Sequence, residues 1–228
     1  MSPSSPALLI RRNPRARRIR LSIDRVSGAA VLTLPPGACP KAGLAFAESH
    51  HDWITAQQAR LPRAVPFAPG AIIPLHGRDV RLDHAPGVPG IHRDEDTGTL
   101  VVGGPLENFA RRFERWIRDH ARTHLESRAG HFARLAGHSF TRLRLSDTRS
   151  RWGSCSSTGT LSLSWRLVCA PEFVSDYVTA HEVAHLAELN HGPRFWAVVQ
   201  TLVGDPGPAR HWLRNHGEIL HRLGRVTT

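Results

Sequence analysis

The segment that most restricts what this chain can become is His181-Glu182-Val183-Ala184-His185. Two histidines four residues apart on a helix project from one face, so their imidazoles can meet a single ion. The surrounding pattern reads as helical over residues 171–189. Leu186 and Leu189 lie on its apolar side, and Asn190 suits a left-handed helix end before Gly192-Pro193. Any fold for this chain must present that helix and then turn sharply.

Fifteen histidines make an accidental match easier, but a further histidine stands six residues beyond the pair, at His191. Zinc accepts neutral imidazole nitrogens, and a catalytic site uses three protein ligands with water in the open position. On this reading Zn2+ is the cofactor and His181, His185 and His191 hold it. Glu182 is then the general base that takes a proton from the water, whose pKa the metal lowers toward about 7. Glu188 competes for the third position because 181, 185 and 188 share a face. Seven residues of straight helix span roughly 10 Å, however, whereas a residue past the helix end can fold back over the ion.

Around this segment the chain reads as α+β, with a β-rich N-terminal half (1–105) and a helical half carrying a small sheet (106–228). Residues 18–24 alternate polar and apolar, turn at Ser27-Gly28, and return through 30–34 as a hairpin. Residues 40–60 read as one helix, and short strands are expected around 72–73, 78–82 and 99–102. After the break at Gly103-Gly104-Pro105 the pattern becomes helical to about 135. Strands at 140–145 and 160–165 flank the loop 149–157. Three helices follow, each with Pro at or near its first turn, where the missing N–H costs nothing.

The formal charge of +11 comes from 30 basic against 19 acidic residues, and every basic residue but Lys41 is arginine. Such a balance suits an anionic partner, and association with nucleic acid through the arginine-rich surface is one expectation. No apolar run approaches the roughly 18 residues of a membrane helix. Cys39, Cys155 and Cys169 form no C-x-x-C pair. A cytoplasmic protein without membrane contact is expected.

The loop Ser150-Arg151-Trp152-Gly153-Ser154-Cys155-Ser156-Ser157 has two readings. It can be a tight turn with an aromatic plug, or an extended edge beside the metal helix that binds substrate by strand addition. Arg149, Arg151 and Arg166 are the candidate substrate-binding residues, able to stabilise an oxyanion or a phosphate. Cys155 reads as a structural thiol, and Phe195, Trp196 and Trp212 as packing for the metal helix.

Taken together, residues 150–156, Leu163-Ser164-Trp165-Arg166-Leu167, His181 to Leu186 and Asn190-His191-Gly192-Pro193-Arg194-Phe195-Trp196 resemble the YgjP-like metallopeptidase domain, itself similar to SprT-type zincins. The match is close over residues 140–215. The basic strand pair at 17–34 and the Trp53-containing helix look like the family's N-terminal part. The resemblance implies a zincin-like half in which the H-E-x-x-H helix packs under a small sheet, with three histidine ligands and a glutamate base. Ser164 departs from an expected Asn and Val183 from an expected Leu; neither touches the metal chemistry.

The expected function is therefore a zinc-dependent metallopeptidase acting on polypeptide. Two alternatives stand beside it: a metal-dependent nucleoside triphosphate pyrophosphatase, since family members have also carried that label, and a DNA-associated protein with structural zinc.

Overall fold

The computed structural model describes residues 8–148 and 151–225. The chain forms two compact units, one ending at Arg63 and the other beginning at Ala64. Among the described residues there are three small sheets and six α-helices, and no helix is long and apolar enough to cross a membrane.

In the first unit, strands β1 (Leu8–Arg12), β2 (Arg20–Ile23) and β3 (Ala30–Leu34) form a sheet in the order β1-β3-β2. The expected hairpin is β2 with β3, antiparallel, and β1 adds a parallel strand to the other edge of β3. Asp24 shapes the hairpin turn by accepting backbone N–H bonds from Val26 and Ser27 at its side-chain oxygen. The expected helix over 40–60 is divided into α1 (Pro40–Glu48) and α2 (His51–Ala59). At the junction, Ser49 Oγ and His50 Nδ1 both donate to the Phe46 carbonyl, and side chains that compete in this way for a helix carbonyl favour its end. Helix α1 lies so close to β3 that a Cβ on Gly43 would meet Leu34 Cδ2 at 2.6 Å.

The second unit opens with β4 (Ile72–Leu75), β5 (Arg78–Ala85), β6 (Ile91–Arg93) and β7 (Leu100–Gly103), ordered β4-β5-β7-β6. A 3₁₀ turn at Leu106–Asn108 leads into the 27-residue helix α3 (Phe109–Leu135). Its buried stripe of Phe109, Phe113, Ile117, Ala121, Leu125 and Ala129 recurs every four residues and shares one core with Leu82, Leu100 and Val102 of the sheet. The boundary expected near 105 therefore falls inside this unit, because the sheet and the helix bury each other's apolar faces.

Strands β8 (Arg142–Ser146), β9 (Gly153–Cys155) and β10 (Thr160–Ser164) form the third sheet, ordered β8-β10-β9, with β8 parallel and β9 antiparallel to β10. The expected loop 149–157 thus contains a short edge strand. A buried 3₁₀ turn, Trp165–Cys169, then delivers the chain to α4 (Glu172–Ala184), α5 (Pro193–Val203) and α6 (Gly207–Arg222). Helices α3 and α4 are joined by Arg128, which donates to both oxygens of Asp176 at 2.6 and 2.7 Å.

Candidate metal centre

Helix α4 buries Val174, Val178, Ala180 and Val183, and that orientation turns His181 and His185 toward the rim of the core. It is shorter than its sequence pattern suggests. His185 is the C-cap, and the chain tightens there through i→i+3 bonds from Leu186 N to Val183 O and from Ala187 N to Ala184 O. A turn closed by Gly192 N to Asn190 O brings His191 back over the helix just before Pro193 starts α5. His181 Nε2 and His191 Nε2 lie 3.1 Å apart, and one nitrogen from each of the three histidines falls within 4.8 Å of the others.

This geometry suits a small divalent ion. Bonds of 2.0–2.1 Å in a tetrahedron place donor nitrogens about 3.3 Å apart, near the separation seen for His181 and His191. Two of the donors, His181 and His185, are also in the required form. His185 Nδ1–H donates to the Glu188 carbonyl at 3.1 Å, which leaves its Nε2 lone pair for a ligand. Burial, with His185, His191 and Arg210 nearby, drives His181 down to about 4, and burial likewise lowers His185. Neutral imidazoles are what a metal needs. Beneath them lies Phe195, fully buried, its ring centroid 4.5 to 4.8 Å from those of all three histidines.

Glu182 is 6% exposed and has lost most of its water. Burial raises its carboxyl to about 7, against the opposing pull of Arg151. It fits because Gly153 has no side chain where β9 crosses α4. The strand is held by Ser164 N donating to the Trp152 carbonyl at 2.8 Å and by the Trp152 ring stacked on His221. Gly153, Ser154 and Cys155 form one wall of a cleft of about 280 Å³ whose other wall is Glu182 and the three histidines. Burial and the Glu182 charge raise the Cys155 thiol, so it stays protonated and is no nucleophile.

The remaining sequence candidates separate. Glu188 pairs with Arg194 at 3.1 Å, and its backbone carbonyl orients His185. Arg151 is exposed and borders the neighbouring cleft with Glu182, Trp152 and Tyr177. Arg166 does not reach either cleft: it is 2% exposed and donates to Asp147, at 2.6 Å, and to the Leu220 and Leu223 carbonyls. Arg166, expected from the sequence as a substrate-binding residue, is here turned into the protein. Arg149 lies outside the described residues. Phe195 packs against the metal helix as its sequence suggests, whereas the roles of Gly153 and of the Glu188 carbonyl have no signal there beyond the tight turn expected at Trp152-Gly153.

A family model described as YgjP-like, metallopeptidase domain, matches residues 17–216. No curated protein matches the chain. Among solved structures, the crystal structure of the metallopeptidase zymogen of Pyrococcus abyssi abylysin is similar at 20% sequence identity and a TM-score of 0.37, covering 42% of this chain and 94% of that one.

Proposed function

This chain belongs to the YgjP-like metallopeptidase domain family, and from that premise we propose that it is a zinc-dependent peptidase with Glu182 as its general base. The observation that carries the reading is a buried carboxyl, poised near neutrality, beside three imidazoles that converge on one point. When bound by His181, His185 and His191, zinc supplies Lewis acidity, polarising the peptide carbonyl and making water acidic enough to lose a proton near pH 7.

The protein's own groups do the rest. Ionised Glu182 accepts the proton of the attacking water and passes it to the departing amine nitrogen, so the carboxylate is regenerated. Strand β9 is an edge strand along the cleft, and its unpaired backbone groups give an extended peptide a partner that fixes its register. Arg151 supplies a positive charge beside the base for a substrate carbonyl or carboxylate. A phosphoanhydride substrate has less to hold it, because Arg166 is committed to Asp147 and two carbonyls.

The test is hydrolysis of casein and of quenched fluorescent peptides by the purified protein, with zinc measured by elemental analysis. Glu182→Gln should keep the zinc and lose roughly 10²- to 10⁴-fold in kcat/KM. Peptide cleavage that survives this substitution with full zinc content sinks the proposal.

A further inference from the structure

The positive charge of this protein is concentrated in the first unit. Residues 8–63 hold nine arginines and Lys41 against Asp24, Glu48 and Asp52, a net +7 of the chain's +11. Six of those arginines gather at one end of the first sheet. Strand β1 ends in Arg11 and Arg12, β2 begins at Arg20, and the segment between them, carrying Arg15, Arg17 and Arg18, runs past the end of β3, where Asn13 N donates to the Leu34 carbonyl. All six are exposed.

Register gives this end a defined face. Arg11 and Arg20 are both paired with Thr33, one from each side, so the row Arg11-Thr33-Arg20 crosses the sheet on a single face. Arg11 Nε donating to Thr33 Oγ1 at 3.1 Å confirms the direction. The opposite face holds Leu32 and Leu34, which pack against Gly43 of α1, so the arginine row lies on the face away from that helix. Arg11 and Arg12 donate to neutral oxygens, Thr33 Oγ1 and the Ala38 carbonyl, and their charges are not cancelled there. Two strand spacings separate Arg11 from Arg20 by roughly 10 Å, about the axial run of three phosphate-to-phosphate steps on one strand of a duplex.

We propose that this face of the first unit is a sequence-independent binding surface for the phosphodiester backbone of nucleic acid. Guanidinium groups match phosphate bidentately, and a charge this dense releases counterions on contact. The three strands carry no aromatic residue for base stacking, which removes the usual means of reading single-stranded sequence. A membrane surface fits less well, because interfacial binding calls for a broad apolar helix face, whereas this is a strand face whose arginine row has the exposed Leu9 beside it as its large apolar side chain. The proposal is independent of the peptidase reading.

The test uses the full chain and labelled duplex DNA and duplex RNA of mixed sequence, followed by fluorescence anisotropy from about 50 to 200 mM salt. Arg15→Gln/Arg17→Gln/Arg18→Gln, and separately Arg11→Ser/Arg20→Ser, should weaken binding equally for all sequences. Each phosphate contact removed should flatten the slope of log K against log salt by about 0.9. Arg134→Gln/Arg142→Gln/Arg144→Gln, exposed in the second unit, should change neither quantity. No binding at low salt, an equal loss in the control set, or binding to phosphatidylserine vesicles in preference to both duplexes overturns the proposal. Which duplex binds tighter then distinguishes DNA from RNA as the source of the backbone.

Discussion

Gly153 and Glu182 approach so closely that a methyl group on Gly153 would sit 2.5 Å from Glu182 Cγ and 2.6 Å from its Oε1. The edge strand and the Glu182 carboxyl therefore share one space, and the missing side chain is what lets that carboxyl sit between β9 and α4. Gly153→Ala should push the carboxyl off its position. Displacing a reacting group by about 1 Å costs on the order of 10²-fold in rate. We expect kcat to fall by about that factor with zinc content and the circular dichroism spectrum unchanged, whereas a loss of zinc would mean that the helix, not the base, had moved.

Phe195 supports all three imidazoles from below. Phe195→Ala opens a cavity there and should cost about 3–5 kcal/mol of stability. With the histidines free to tilt, zinc affinity should also weaken about 10- to 100-fold, as when other supports of metal ligands are removed. Competition with a chromophoric chelator measures the affinity. Unchanged affinity in a folded variant would show that the ring does not position the ligands.

Arg166 tests structure against function. Its removal in Arg166→Ala takes the side-chain donor from the Leu220 and Leu223 carbonyls and leaves Asp147 with only its longer pairs, to Arg118 and Arg225 at 3.6 Å. Truncating a buried, hydrogen-bonded guanidinium in this way costs about 3 kcal/mol. A thermal melt should register the loss directly. If the variant instead melted like the parent and only KM rose, Arg166 would be a substrate residue after all.

His76, His120 and His124 form a second histidine cluster, in which His76 Nε2 and His120 Nε2 lie 2.8 Å apart and the His120 ring stacks on Trp116. Burial is the main cause that lowers all three from the ordinary value of 6.5, and they also repel one another's protons. Glu172 and Asp176 of α4 oppose the shift, and Arg128 adds to it for His124. A depressed histidine pKa favours the folded state above the unfolded value, and that contribution is lost as pH falls through the folded value. The melting temperature should therefore drop as pH falls below the ordinary histidine value of 6.5, and His120→Gln should flatten the drop. Parallel pH profiles for parent and variant would assign the acid sensitivity elsewhere.

What could be read from residue order alone was local. Spacing by four set His181 and His185 on one face, the Asn190-Gly192-Pro193 run marked the turn that returns His191, and the four-residue stripe of α3 announced a long amphipathic helix. These follow from helix geometry over a few residues, which needs no knowledge of the rest of the chain. The side of the molecule on which Arg166 lies was decided by carbonyls 54 and 57 residues away, and the space for Glu182 on α4 by a glycine on the third sheet. The same holds for the division at residue 63, since strands 72–103 joined the later helices only because burying a shared apolar face favours it. Packing between distant segments sets those outcomes, and packing has no periodicity in the sequence to read.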